Sequence, residues 1–218
     1  MMFGQKIQNH RDHDFRKESI MYLPTFPEPI DGEISTEEFL MASQQMVKLL
    51  DRFGKIFMPV KYDLQGNIDK LKRTFNKYRH STLQKMINEE QNHKGNMVAT
   101  DALMWLRRGL RMIQLFFEYL VNDLRNNQGS DDLMPNLKKS YELSLEPYHG
   151  YLAQQLFGLL SRMIPTRPQI LNAIANGYDI KHEILVESIN TFTKRLKENV
   201  VILESFYDKH DLENSRRV

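Results

Sequence analysis

VATDALMWLRRGLRMIQLFFEYLVNDLRN (98–126) is the stretch whose reading decides the fold. Leu103, Leu106, Leu110, Ile113, Phe117 and Leu120 recur at intervals of three and four, the spacing of one helix face. Proline is absent from it and Gly109 is its sole glycine, so a single helix can run its full length until Asn127, Gly129 and Ser130 mark a loop. Its segment QLFFEYL (114–120) is apolar over more than a narrow stripe. Burial in a two-layer helical core and lining of an apolar cavity both account for that width.

The same period recurs on either side. Upstream, Ser35 and Glu38 form a capping-box pattern that opens a helix with Phe39, Leu40, Met46, Leu49, Leu50 and Phe53 inward. Pro59 is expected to separate it from a second helix, roughly 64–78, carrying Ile68, Leu71 and Phe75. A third runs from about Thr82 to Gln91. Downstream, Pro135 opens a helix to about Pro147, and His149–Gly150 is a break. The next helix, YLAQQLFGLL (151–160), is also broadly apolar and ends before Pro165. A short one near 168–175 stops at Gly177. The last, about 181–208, carries Ile184, Leu185, Ile189, Phe192, Leu196, Val200, Leu203 and Phe206. With no strand-like alternation and no constant repeat, the expectation is one all-α domain of about eight helices over 34–218. Residues 1–33 are an amino-terminal extension, expected to be disordered or loosely docked, whose part LPTFPEPIDGE (23–33) reads as extended chain.

Composition excludes several function classes. Thirty lysines and arginines against 28 acidic residues argue against an extended nucleic-acid surface. The absence of cysteine removes disulfides, thiol nucleophiles and thiolate metal sites. No apolar run reaches the length of a transmembrane helix, and the amino terminus lacks the apolar stretch of a secretory signal, so a cytoplasmic protein is expected. Glycine-rich phosphate loops, GxSxG and HExxH are all missing. His10 and His13 lie in the extension, and the histidines form no ligand pairs at helical spacing. No cofactor, no metal and no enzymatic activity are expected. RRGLR (107–111) has two readings, a phosphate contact or an exposed helix face with local ion pairs.

The polar residues are more informative. In PVKYDLQGNIDKLK (59–72), Asp63, Asn67 and Lys70 are spaced by four and three, which stacks them on one helix face. A carboxylate, an amide and an ammonium suit a ligand whose hydroxyls both donate and accept. An exposed Asp63–Lys70 ion pair is the competing reading. Trp105, the only tryptophan, is a core residue or a flat platform for a sugar ring. His149 precedes a glycine in PYHGYLAQ (147–154) and is a structural residue or a ligand contact.

The order and wording of P-V-K-Y-D-L-Q-G-N-I-D-K, A-L-M-W-L-R-R-G-L-R and Y-H-G resemble the glycolipid transfer protein family over roughly residues 35–218. The resemblance implies a two-layer all-α sandwich that carries one glycosphingolipid between membranes without a cofactor. By the same resemblance Asp63, Asn67 and Lys70 bond the first sugar and the ceramide linkage, Trp105 stacks on that sugar, and His149 bonds the ceramide carbonyl while Asp63 takes the amide hydrogen. Apolar character and the resemblance together nominate Leu49, Leu50, Phe57, Met112, Phe116, Leu145, Phe157, Ile170, Ile189 and Phe192 as the lipid-chain pocket, plain core being the alternative. A sister branch resembling this family binds ceramide-1-phosphate and has arginine at the positions of Trp105 and Gly109, so these two residues point to sugar. Arg108 and Arg111 keep an anionic glycolipid open. Asp101, one turn before Trp105, is a possible additional head-group acceptor. The tryptophan that usually follows Y-H-G is Tyr151 here, so membrane contact is expected from Tyr151, Arg162, Met163 and Ile164, with Arg167. The carboxyl-terminal NSRRV lacks the family's tyrosine, which leaves that end without an assigned role. The expected partners are a glycosphingolipid and, transiently, a membrane surface, with no nucleic acid; the chain is expected to be a monomer. The rivals are a ceramide-1-phosphate-type carrier, a non-lipid helical adaptor, and a glycolipid hydrolase, the last lacking a second carboxylate to work with Asp63.

Overall fold

Helix starts are fixed by side chains that satisfy orphan backbone N–H groups. Ser35 Oγ accepts from the Glu38 N–H (3.4 Å) at the start of α1, Thr36–Arg52. Thr82 accepts from the Lys85 N–H (3.4 Å) at α3, Leu83–Asn92. The long helix α4, Val98–Arg125, is capped from a neighbour: the Glu90 carboxylate accepts from the N–H groups of Ala99 (2.8 Å) and Thr100 (2.7 Å). The remaining helices are α2 (Met58–Tyr78), α5 (Met134–Glu142), α6 (Tyr151–Leu160), α7 (Arg167–Ile174) and α8 (His182–Lys209). This computed structural model describes residues 21–54, 57–93, 95–126, 130–214 and 217, and among them there are eight α-helices and no strand. His10 and His13 lie outside the described residues.

α4 is the shared member of the packing, with α2, α8, α5 and α3 all against it. That explains its breadth of apolar residues: QLFFEYL is buried except for its Glu118–Tyr119 edge. Phe117 meets Phe53 (6.3 Å between centroids), Phe116 (5.5 Å) and Phe192 (5.2 Å), joining α1, α4 and α8 in one aromatic core. Each such side chain contributes roughly 1.5–3 kcal/mol on burial.

At the level of the fold the structure corrects the sequence reading in four places. Pro59 does not separate helices; α2 begins at Met58 with the proline in its first turn, where a missing N–H costs nothing. Asp63 therefore sits inside a regular helix. α5 stops at Glu142, and Glu146–Tyr148 is a 3₁₀ turn that presents His149. YLAQQLFGLL is not core: α6 has no buried residue. Finally, residues 21–33 are not loosely docked. Phe26 packs edge-on against Phe39 (5.8 Å) and against Phe192 (6.4 Å), the Tyr22 N–H donates to the Ile174 carbonyl (2.9 Å), and Asn199 Nδ2 donates to the Pro27 carbonyl (2.9 Å). The prolines keep the strap extended while Met21 and Phe26 join the core.

Candidate functional site

Two contacts set the register of α2 on α4. A Cβ added at Gly109 would lie 2.8 Å from Leu64 Cδ2, so any larger residue would have to displace that side chain. Farther along, Arg73, Thr74 and Lys77 line one cleft with Val98. The helices thus run antiparallel. Trp105, one turn before Gly109, comes level with Ile68, between Asn67 and Lys70. Asp101, exposed and a further turn back, comes level with Leu71 and Lys72. On α2, Leu64, Ile68 and Leu71 face the core; Asn67, buried with them, lies at the edge of that face, and Asp63 and Lys70 are exposed beside it.

These three are already linked. Buried Asn67 donates through Nδ2 to the Asp63 carbonyl (3.1 Å) and carboxylate (3.4 Å), and its Oδ1 accepts from Lys70 Nζ at 3.5 Å. The Asp63 carboxyl sits above its ordinary pKa because the surrounding protein desolvates it, with Lys70 and the Asn67 hydrogen bond acting in the opposite direction. The carboxylate nevertheless reaches the surface.

Trp105 and His149 meet from different segments. Their rings lie near parallel, 23° apart with centroids at 6.4 Å, and Tyr148 meets the indole edge-on at the same distance. The His149 Nδ1 is 3.0 Å from the Tyr141 hydroxyl. Burial pushes the Tyr141 phenol up to about 12 and holds the His149 pKa below its ordinary 6.5. At neutral pH the ring is therefore neutral and the phenol protonated. If Tyr141 donates to Nδ1, the histidine proton resides on Nε2.

Arg107 and Arg108 differ from both readings of RRGLR. They are 5% and 2% exposed, so they form neither a solvated face nor an open phosphate contact. The segment after α8 covers them. Glu213 bonds Arg107 Nη2 through one oxygen and Arg108 Nη2 through the other (2.8 Å), and the Asn214 carbonyl accepts from Arg108 (2.6 Å). The Arg108 guanidinium lies 3.5 Å from the Tyr148 ring centroid and 4.8 Å from that of Trp105. Arg217 Nε donates to the Pro147 carbonyl at 3.2 Å. Tyr141 and Glu213 thus border the site without having been singled out by motif, and so does Tyr148, the tyrosine of Y-H-G, to which no role had been given. Only the adjacent arginines, which need a buried counter-charge, hinted at Glu213.

The apolar candidates divide. Leu49, Leu50, Phe57, Met112, Phe116, Leu145, Ile170, Ile189 and Phe192 belong to one contiguous buried cluster. Phe157 is half-buried and stacks on Tyr141 at 3.6 Å. Tyr151 (74%), Leu152 (82%), Leu156, Leu159 and Met163 are exposed, as is Arg162, while Ile164 is half-buried. Arg167 instead reaches back to the Ser130 carbonyl. No helix of the described residues is long and apolar enough to cross a membrane, and no group of three or more potential metal ligands occurs among them.

The model of one protein family, Glycolipid transfer protein (GLTP), matches residues 34–176. The chain belongs to that family. It is 34% identical over 171 residues to the glycolipid transfer protein of Danio rerio, covering 75% of this chain and 82% of the relative. Among solved structures it superposes on a GLTP-fold structure of FAPP2, described as selecting simple glycosphingolipids, with a TM-score of 0.76, 28% identity, and 89% and 94% of the two chains covered. Mouse ceramide-1-phosphate transfer protein shares the fold, with a TM-score of 0.75 at 20% identity over 85% and 93% of the chains.

Proposed function

We propose that this member of the glycolipid transfer protein family binds one glycosphingolipid and moves it between membranes, breaking no bond. The observation that supports this reading is the stacking of His149 along the Trp105 ring, together with an antiparallel α2–α4 register in which position 105 is level with Asn67 and Lys70. Asp63 and Lys70 are the charged partners for sugar hydroxyls and the amide N–H, and charge-assisted bonds of this kind contribute about 1.5–3 kcal/mol each. His149 offers an Nε2–H donor for the amide carbonyl when the Tyr141 hydroxyl donates to Nδ1. Asp101, exposed one turn before Trp105, is the additional head-group acceptor.

The chains require an apolar interior. Two ceramide chains carry on the order of 30 methylenes worth roughly 0.8 kcal/mol each, but the bilayer repays the same amount, so the head-group site decides selectivity. The buried cluster from Leu49 to Phe192 is the proposed receiving surface. The bare apolar face of α6 (Tyr151, Leu152, Leu156), continued by Met163 and flanked by Arg162, is the proposed membrane contact, its tyrosine suited to the interface. Ile164, half-buried, closes its inner edge.

A phosphate-type head group is disfavoured by Gly109: Leu64 fills the space a side chain there would need. The test is emission of the sole tryptophan during titration with phosphatidylcholine vesicles with and without galactosylceramide. A blue-shifted, quenched signal that needs the glycolipid supports the carrier. An unchanged signal, with no lipid seen in native mass spectra, refutes it in favour of an adaptor, and release of free sugar would indicate a hydrolase.

A further inference from the structure

Beside the sugar platform lies a second polar assembly that the carrier reading does not use. Arg107 and Arg108 are consecutive on α4 and almost fully buried, an arrangement that is costly unless an anion compensates it. Glu213 supplies that anion, one oxygen to each guanidinium, with the Arg108 bond at 2.8 Å. Two guanidiniums each holding one oxygen of a shared anion is also the way arginines hold a sulfate or phosphate. Donor capacity remains: Arg107 Nε, Arg108 Nε and Arg108 Nη1 are buried without a hydrogen-bond partner. The cradle abuts the head-group site, because the Arg108 guanidinium lies over the rings of both Trp105 and Tyr148.

The occupant is not part of the core. Glu213 lies past the end of α8 at Lys209, and its side chain is 30% exposed, so it can leave without unwinding a helix. Glu204 contacts Arg107 at 3.5 Å and Arg111 at 3.8 Å. With Glu213 removed, Glu204 would still pair with Arg107 and Arg111, but Arg108 would lose the one ion pair it makes among the described residues.

We infer that Glu213 sets the charge selectivity of the site: its carboxylate fills the Arg107–Arg108 cradle and thereby turns away head groups bearing a sulfate or phosphate. This deepens the carrier reading and rests on it. Removing the charge should open the cradle to a tetrahedral anion held next to Trp105.

The experiment compares wild type with Glu213→Gln, measuring affinity and vesicle-to-vesicle transfer with phosphatidylcholine vesicles that carry galactosylceramide, 3-O-sulfogalactosylceramide or ceramide-1-phosphate. Glu213→Gln should raise the ratio of anionic to neutral affinity by about tenfold or more. A rise confined to the sulfated lipid places the anion on the sugar; a rise confined to ceramide-1-phosphate places it on the ceramide oxygen. Glu213→Asp, which keeps the charge, should keep the wild-type ratio, and adding Arg108→Met to Glu213→Gln should restore it. Loss of packing alone would not reproduce that pattern. A chain ending at Leu212 makes the same comparison should Glu213→Gln fail to fold. Variants that bind galactosylceramide with an unchanged ratio overturn the inference while leaving the carrier reading intact. A wild type that binds none of the three lipids overturns both.

Discussion

Replacing Gly109 with alanine tests the contact on which the site's geometry depends. In a free helix the change is favourable, by roughly 0.5–1 kcal/mol. Here the new methyl would sit 2.8 Å from Leu64 Cδ2, and Leu64 is itself buried at 1% exposure, so its side chain must shift within a packed core. Overpacking of this kind costs typically about 1–3 kcal/mol. Set against the propensity gain, Gly109→Ala is expected to destabilise by about 0.5–2 kcal/mol. Leu64→Ala alone should cost about 2–5 kcal/mol by leaving a cavity. In the double variant the methyl occupies that cavity, so its loss should fall below the sum of the two singles by about 1 kcal/mol or more. Urea unfolding of all four proteins gives the cycle. Because Asp63 and Asn67 flank Leu64, Gly109→Ala should also weaken galactosylceramide binding, and the double variant should recover part of it. A Gly109→Ala protein more stable than wild type, with additive energies in the cycle, would refute both the register and the proposed convergence of clamp and indole.

Other expectations follow from the same geometry. Asp63→Asn should raise the melting temperature, because burial disfavours the carboxylate in the folded state, while lowering glycolipid affinity by about tenfold or more through loss of a charge-assisted bond. His149 binds fewer protons folded than unfolded once the pH falls below its ordinary 6.5, so wild-type stability should decline with falling pH there; His149→Gln should flatten that slope in pH-dependent urea titrations. Leu152→Asp combined with Leu156→Asp should slow transfer from vesicles with little change in melting temperature, since both side chains are exposed. Phe26→Ala should cost about 3–5 kcal/mol by urea unfolding, a loss far beyond that of a loosely docked strap.

Helices were legible because apolar residues at intervals of three and four report a face wherever they occur, and caps such as Ser35 and Thr82 act within three residues of themselves. Asp63, Asn67 and Lys70 were legible for the same reason. YLAQQLFGLL misled because broad apolarity is the same pattern whether a helix faces the core or lies at the surface. The lead-in misled because prolines report backbone conformation and not what Phe26 touches. Pro59 was ambiguous between ending one helix and starting the next, and the first-turn position settled it.

By itself the sequence determined the all-α class, the helix count and the polar face of α2, since each depends on residues within a turn or two of one another. It also determined, through three short motifs, which family the chain resembles. Tertiary structure alone decided that Trp105 comes level with Asn67 and Lys70, that His149 turns toward Tyr141, and that Glu213 buries the charges of Arg107 and Arg108 from more than a hundred positions away. Those pairings arise from how helices cross and where the chain returns, and no local spacing encodes either.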